Sequence, residues 1–134
     1  MRLCVLLAAV FFASCSPKNT TKNAVLPPVF DAKTSFSLRA MTLRGQAVAL
    51  PDERRPTVQF AAADQLSGFA GVNRYTLTWP GGPATATKMA GPPGAMALEN
   101  QFLEALQLVT KIEPVAGGVR LTSPDGATRL EFSK

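Results

Sequence analysis

The chain opens with an unbroken apolar run at 3–12, preceded by Arg2 and followed by Ala13-Ser14-Cys15. The pattern then turns polar and proline-containing from Ser16 to Thr34, relieved only by the short apolar stretch at 25–30. From Ser35 onward it becomes one of short apolar–polar alternations. Period-two alternation predicts half-buried strands. Residues 35–44 predict a first strand, with Phe36, Leu38, Ala40 and Thr42 on one face and Ser37, Arg39, Met41 and Leu43 on the other. A charged loop at 51–56 follows. Val58 and Phe60 begin a second strand, 66–69 a third, and Tyr75, Leu77 and Trp79 share one face of a fourth. Residues 84–89 predict a fifth, ended by Gly91-Pro92-Pro93-Gly94.

One segment has helical period. Over 95–109, Leu98, Phe102, Ala105, Leu106 and Val109 form a single stripe, with Asn100, Glu104, Gln107 and Lys111 opposite. Lys111 is expected to complement the dipole at the helix C-terminus. The stripe predicts a helix laid across a sheet. Three strands close the chain, at 110–115, around Val119 and Leu121, and around Leu130 and Phe132. In the last hairpin one face must be buried, so Leu121 is expected opposite Leu130, Val119 opposite Phe132 and Arg120 opposite Glu131. A two-residue slip would oppose Arg120 to Arg129, and facing like charges destabilise. The loop is then Pro124 to Ala127, closed by Ser123 and Thr128, with Gly126 free to take positive φ. The fold class expected is α+β: a small, strongly curved, barrel-like antiparallel sheet of about eight short strands with one amphipathic helix packed across it.

Composition narrows the chemistry. The chain has 134 residues, no His, and 46% hydrophobic against 17% charged residues, which describes one folded domain. Both cysteines, Cys4 and Cys15, precede the domain. Its body therefore holds no His/Cys zinc site, no disulfide, no Ser-His-Asp triad and no Cys-His pair. No metal and no cofactor is expected. Formal charge is +5, yet from Ser35 onward ten basic residues face eight acidic ones, so the excess belongs mainly to the leader and the segment after it. Only Arg54-Arg55 are adjacent cations. No basic face for nucleic acid is expected.

A positive start, a ten-residue apolar run and small residues before a cut are the parts of a secretory signal. Ten residues are too few to span a bilayer core, which takes about 20. Phe12-Ala13-Ser14-Cys15 resembles a bacterial lipobox, with Phe12 in place of the usual Leu. The resemblance implies cleavage before Cys15 and lipidation of that residue, and Ser16 after it implies the outer membrane, facing the periplasm. Expected organisation is a signal peptide at 1–14, the lipidated Cys15 and a flexible tether at 15–34, and a domain at 35–134.

Three further features occur in order: Gly68-Phe69-Ala70-Gly71-Val72-Asn73-Arg74-Tyr75; Thr87-Lys88-Met89-Ala90-Gly91 followed by a helix with Glu99, Phe102 and Leu106; and the closing Val119-Arg120-Leu121-Thr122, Asp125-Gly126 and Leu130-Glu131-Phe132. Together, over roughly 36–133, they resemble the META domain of the HslJ-like heat-shock lipoprotein family. The family's usual pattern carries Cys just before the Asn-Arg-Tyr element and just after the Thr-x-Met-x element. Here those places hold Val72 and Gly91. If the family's two cysteines pair, this chain has lost the whole bridge. The resemblance implies an envelope location and a role in stress response or antibiotic tolerance, and it brings no catalytic residues.

Asn73, Arg74 and Tyr75 are the candidate binding loop. The reading favoured for the triplet is nevertheless scaffolding: Asn tolerates left-handed backbone and bonds nearby amides, Arg74 has Asp64 or Glu99 as potential partners, and the Tyr75 ring suits the sheet. Ser67 and Lys88, or Asp52, Glu53 and Asp64, have no spacing that supports catalysis or calcium binding. The leading expectation is a non-enzymatic envelope module that binds a protein or cell-wall partner. The runner-up is a periplasmic inhibitor of a hydrolase such as lysozyme.

Overall fold

The computed structural model describes residues 33–134, so the predicted leader, the lipid-attachment residue Cys15 and the tether up to residue 32 lie outside the described residues. Nine strands and one helix follow in the order β1 (Ser35–Leu43), β2 (Gln46–Val48), β3 (Thr57–Ala62), β4 (Gln65–Phe69), β5 (Arg74–Thr78), β6 (Ala84–Ala86), α1 (Pro93–Leu108), β7 (Lys111–Val115), β8 (Gly118–Thr122) and β9 (Arg129–Ser133). All pairings are antiparallel, in the spatial order β6-β5-β4-β3-β1-β9-β8-β7, with β2 paired only to β1. The sheet is curved and open, and β6 and β7 are its two ends. α1 joins those ends in sequence and packs across the sheet, sharing one core with the inward side chains of its strands.

The strand count exceeds the expected eight by β2. Gln46-Ala47-Val48 is short and half polar, and it pairs only because it folds straight back on β1, Met41 meeting Val48. β1 also departs from simple alternation. Phe36, Leu38 and Met41 are buried, whereas Ala40 is exposed. The register against β9 shifts between Leu38 and Ala40, the mark of a β-bulge. One extra residue transfers the inward face from even to odd positions. Met41, not Ala40 or Thr42, therefore continues the core.

α1 begins two residues earlier than its stripe, because Pro93 suits the first helical turn, where no intrahelical N–H is required. It ends at Leu108, where Val109 turns extended. Leu98, Phe102, Ala105, Leu106 and Val109 are all buried, as the period predicts. Phe102 meets Tyr75 and Phe132 edge to face, with centroids 5.5 and 6.3 Å apart. Lys111 does not serve the helix C-terminus. It lies in β7 and its Nζ pairs with Glu113 at 2.7 Å, which holds the Glu113 carboxyl below its ordinary range.

The closing hairpin has the predicted register: Leu121 opposite Leu130, Val119 opposite Phe132, Arg120 opposite Glu131. Ser123 N–H donates to Thr128 O at 2.9 Å and closes the four-residue loop. Gly126 takes φ 74°. The Asp125 carboxylate accepts from Ser123 Oγ at 2.6 Å and from the Ala127 amide at 3.0 Å, which lowers its pKa. Arg120 Nε and Glu131 Oε1 lie 3.1 Å apart, half exposed, a pair worth about 0–1 kcal/mol.

A buried Asn–Glu hub beneath the candidate loop

The turn between β4 and β5 is Ala70 to Asn73, closed by the Ala70 amide on Asn73 O at 2.8 Å. It places Asn73 at 2% exposure beneath the surface. Every hydrogen-bonding atom of the Asn73 side chain is used. Nδ2 donates to Glu99 Oε1 at 2.8 Å and to Met89 O at 3.2 Å. Oδ1 accepts from the Met89 amide at 2.7 Å and from Thr87 Oγ1 at 3.0 Å. Glu99 Oε2 accepts from the amides of Val72 and Asn73 at 3.0 and 2.7 Å. Three segments distant in sequence are thus tied at one point: the β4–β5 turn, the chain after β6, and the first half of α1. A buried carboxylate is tolerable only when several donors meet it, and here three do.

This hub explains why β6 is shorter than the alternation at 84–89. Thr87 still donates its amide to Arg74 O at 3.0 Å, but the groups of Met89 turn to the Asn73 side chain and leave the ladder. It also assigns Glu99 a partner other than the one proposed from sequence. Its carboxylate is taken by Asn73 and two amides, and Arg74 stands exposed on the outer face. Positive φ in this turn falls on Gly71 at 122°, not on Asn73.

The third member of the triplet faces inward. Tyr75 is 2% exposed and its hydroxyl donates to Thr57 O at 2.7 Å. Burial pushes its phenol far above the ordinary range, so it stays protonated and acts as a donor. Of Asn73, Arg74 and Tyr75, two are therefore committed inside the domain, and Arg74 alone presents its side chain to solvent. Sequence reasoning missed Glu99, Thr87 and Met89 as partners of this hub. One signal was available: Glu99 stands three residues before Phe102 and seven before Leu106, inside the apolar stripe.

An open, largely apolar cleft of about 460 Å³ lies at the start of α1, lined by Ala49, Leu50, Pro51, Ala95 and Leu98 among others. None of the hub residues lines it.

Val72 and Gly91 face each other beside the hub. A Cβ built on Gly91 falls 2.7 Å from Val72 Cγ2 and 3.5 Å from Val72 Cβ. The valine methyls fill the space that a side chain at position 91 would need, which requires glycine there. The same 3.5 Å lies within the Cβ–Cβ range of disulfides, about 3.5–4.5 Å. The double substitution Val72→Cys, Gly91→Cys is thus expected to form a bridge on oxidation. Closing a loop of that size contributes about 3 kcal/mol. Thermal unfolding of the oxidised form should then lie roughly 10–20 °C above the reduced form. Equal midpoints would show that the two positions do not face each other in solution.

An open nine-stranded antiparallel sheet, crossed by one helix and pinned to it through a buried Asn–Glu pair, defines a small α+β domain. The chain belongs to the META-domain family: the family model matches residues 30–134. Membership supports the coarse class of a bacterial envelope- or stress-related domain. Among solved structures, the chain is similar to one described as the NMR structure of the protein from Burkholderia xenovorans, with 25% identity over 88% of this chain and 97% of that one, and a TM-score of 0.59. No curated protein matches the chain.

Proposed function

We propose that the chain is a lipid-anchored, non-catalytic binding module of the bacterial envelope, held at the outer membrane and facing the periplasm. The observation that carries the non-catalytic part is the saturation of the hub. Asn73, Glu99 and Tyr75, the polar groups a catalytic reading of this loop would use, spend their bonding capacity on holding three segments together. What remains for a partner is the exposed rim above the hub, Arg74, Lys88 and Met89. A rigid loop that offers side chains without reactive groups suits binding. A role in stress response or antibiotic tolerance follows from the family and belongs to the same proposal.

The anchoring part rests on Arg2, the apolar run at 3–12 and Phe12-Ala13-Ser14-Cys15. Two or three acyl chains on one cysteine give stable anchoring where one gives only marginal binding. Metabolic labelling with a fatty acid should mark the wild-type protein, and Cys15→Ala should abolish both the label and membrane fractionation. An unlabelled mature protein beginning elsewhere than Cys15 would overturn the anchor.

A further inference from the structure

The open sheet has two edges, and they are built differently. β7 contains Pro114, which has no N–H, and its Lys111 and Glu113 side chains pair with each other at 2.7 Å. Proline and charge are devices that keep an edge from pairing with another chain. β6 has neither within its span, Ala84-Thr85-Ala86. The Thr87 amide donates to Arg74 O at 3.0 Å and the Thr78 amide to Pro83 O at 3.4 Å. Antiparallel ladders alternate, so the odd positions 83, 85 and 87 turn their backbone groups to β5. Ala84 and Ala86 therefore turn theirs away from the sheet, two donors and two acceptors that no described residue claims.

The surroundings of this edge are cationic and apolar. Arg74 and Lys88 are exposed, and neither forms an ion pair among the described residues. Met89 is 61% exposed, the one large exposed apolar side chain among the described residues. Its amide and carbonyl are held by Asn73, at 2.7 and 3.2 Å, so the rim has a fixed shape.

We infer that β6 is a docking edge for an extended, acidic segment of a partner protein, which adds to the sheet as a further strand. Main-chain bonds to Ala84 and Ala86 supply the pairing, carboxylates meet Arg74 and Lys88, and an apolar side chain rests on Met89. A second copy of this chain is a poor occupant, because β6 against β6 brings two cationic rims together. The inference rests on the binding-module reading and names its partner's chemistry.

The test is amide exchange, read by NMR on the isotopically labelled full-length chain in detergent micelles. The probe is an N-acetylated hexapeptide of alternating Glu and Val, and a Lys–Val hexapeptide is the control. Protection of the Ala84 and Ala86 amides should rise about tenfold with the acidic peptide. The basic peptide should bind at least about tenfold more weakly at low salt, and the gap should narrow as salt screens the charges. Ala86→Pro removes an outward donor without touching the bonds to β5, and it should abolish the protection at Ala84. Lys88→Glu should weaken the acidic peptide about tenfold and leave thermal unfolding unchanged. The inference is overturned by protection at Lys111 and Glu113 instead, by equal binding of the two peptides, or by no protection at millimolar peptide. It is equally overturned if Ala84 and Ala86 are protected without peptide and the mass doubles. Such a failure is separable from a failure of the anchor, which is read from acyl labelling of Cys15.

Discussion

Glu99→Ala is expected to destabilise the domain by about 4 kcal/mol. The substitution strips the acceptor from three donors at once, the Val72 and Asn73 amides and Asn73 Nδ2. Each buried donor left without a partner costs about 1–3 kcal/mol. Water entering the vacated space offsets part of that, because the Val72 amide is only partly buried. The loss is a large fraction of a stability of about 5–15 kcal/mol. Glu99→Gln should fall between, since it keeps the side chain's size but replaces one acceptor with a donor. Asn73→Ala should cost a similar amount, and the double variant should cost far less than both together, because the two residues serve one network. Urea unfolding of the wild type and the four variants checks this, and additive losses would mean that the hub is not a unit.

Phe102→Ala is expected to cost about 3–5 kcal/mol. The ring is fully buried at the centre of the α1 stripe and touches Tyr75 from β5 and Phe132 from β9 edge to face. Those strands lie on opposite sides of β1 in the sheet. The ring therefore joins both halves of the sheet to the helix, and its loss opens a cavity that no single neighbour can fill. The melting temperature should fall by roughly 15–25 °C. An unchanged value would mean that the stripe is a surface and not the core. Phe102→Leu, which retains most of the volume, should recover more than half of the loss.

The elements legible in the sequence are those whose cause is local. The α1 stripe repeats at helical spacing over a few turns, so Leu98, Phe102, Ala105 and Leu106 declare themselves. The β8–β9 register is equally legible, because burial of one face and the Arg120–Glu131 charges agree on a single pairing. Three features depend on contacts across the chain and were not. The bulge in β1 shows itself only when β9 is laid beside it. β2 owes its pairing to a turn back on β1, and its own residues carry little strand signal. The Asn73 hub joins residues 14 to 27 positions apart, so the triplet stood out while the partners that bury it did not. The family pattern marked Val72 and Gly91 as related positions, and the structure supplies the reason in the contact of the valine methyls with the glycine.

The place of β1 sets a condition on how this protein is made. On one side β1 meets β3, about twenty residues downstream; on the other it meets β9, the last strand of the chain. Whether the polypeptide emerges from a ribosome or from a membrane channel, the central strand lacks one flank until Arg129–Ser133 arrives. Contacts so far apart form late and slowly. The middle of the sheet is thus incomplete until β9 has been made. A truncation of only six residues, removing 129–134, would strip the partner from β1 as well as from β8, so a small loss at the C-terminus becomes a defect in the middle of the sheet.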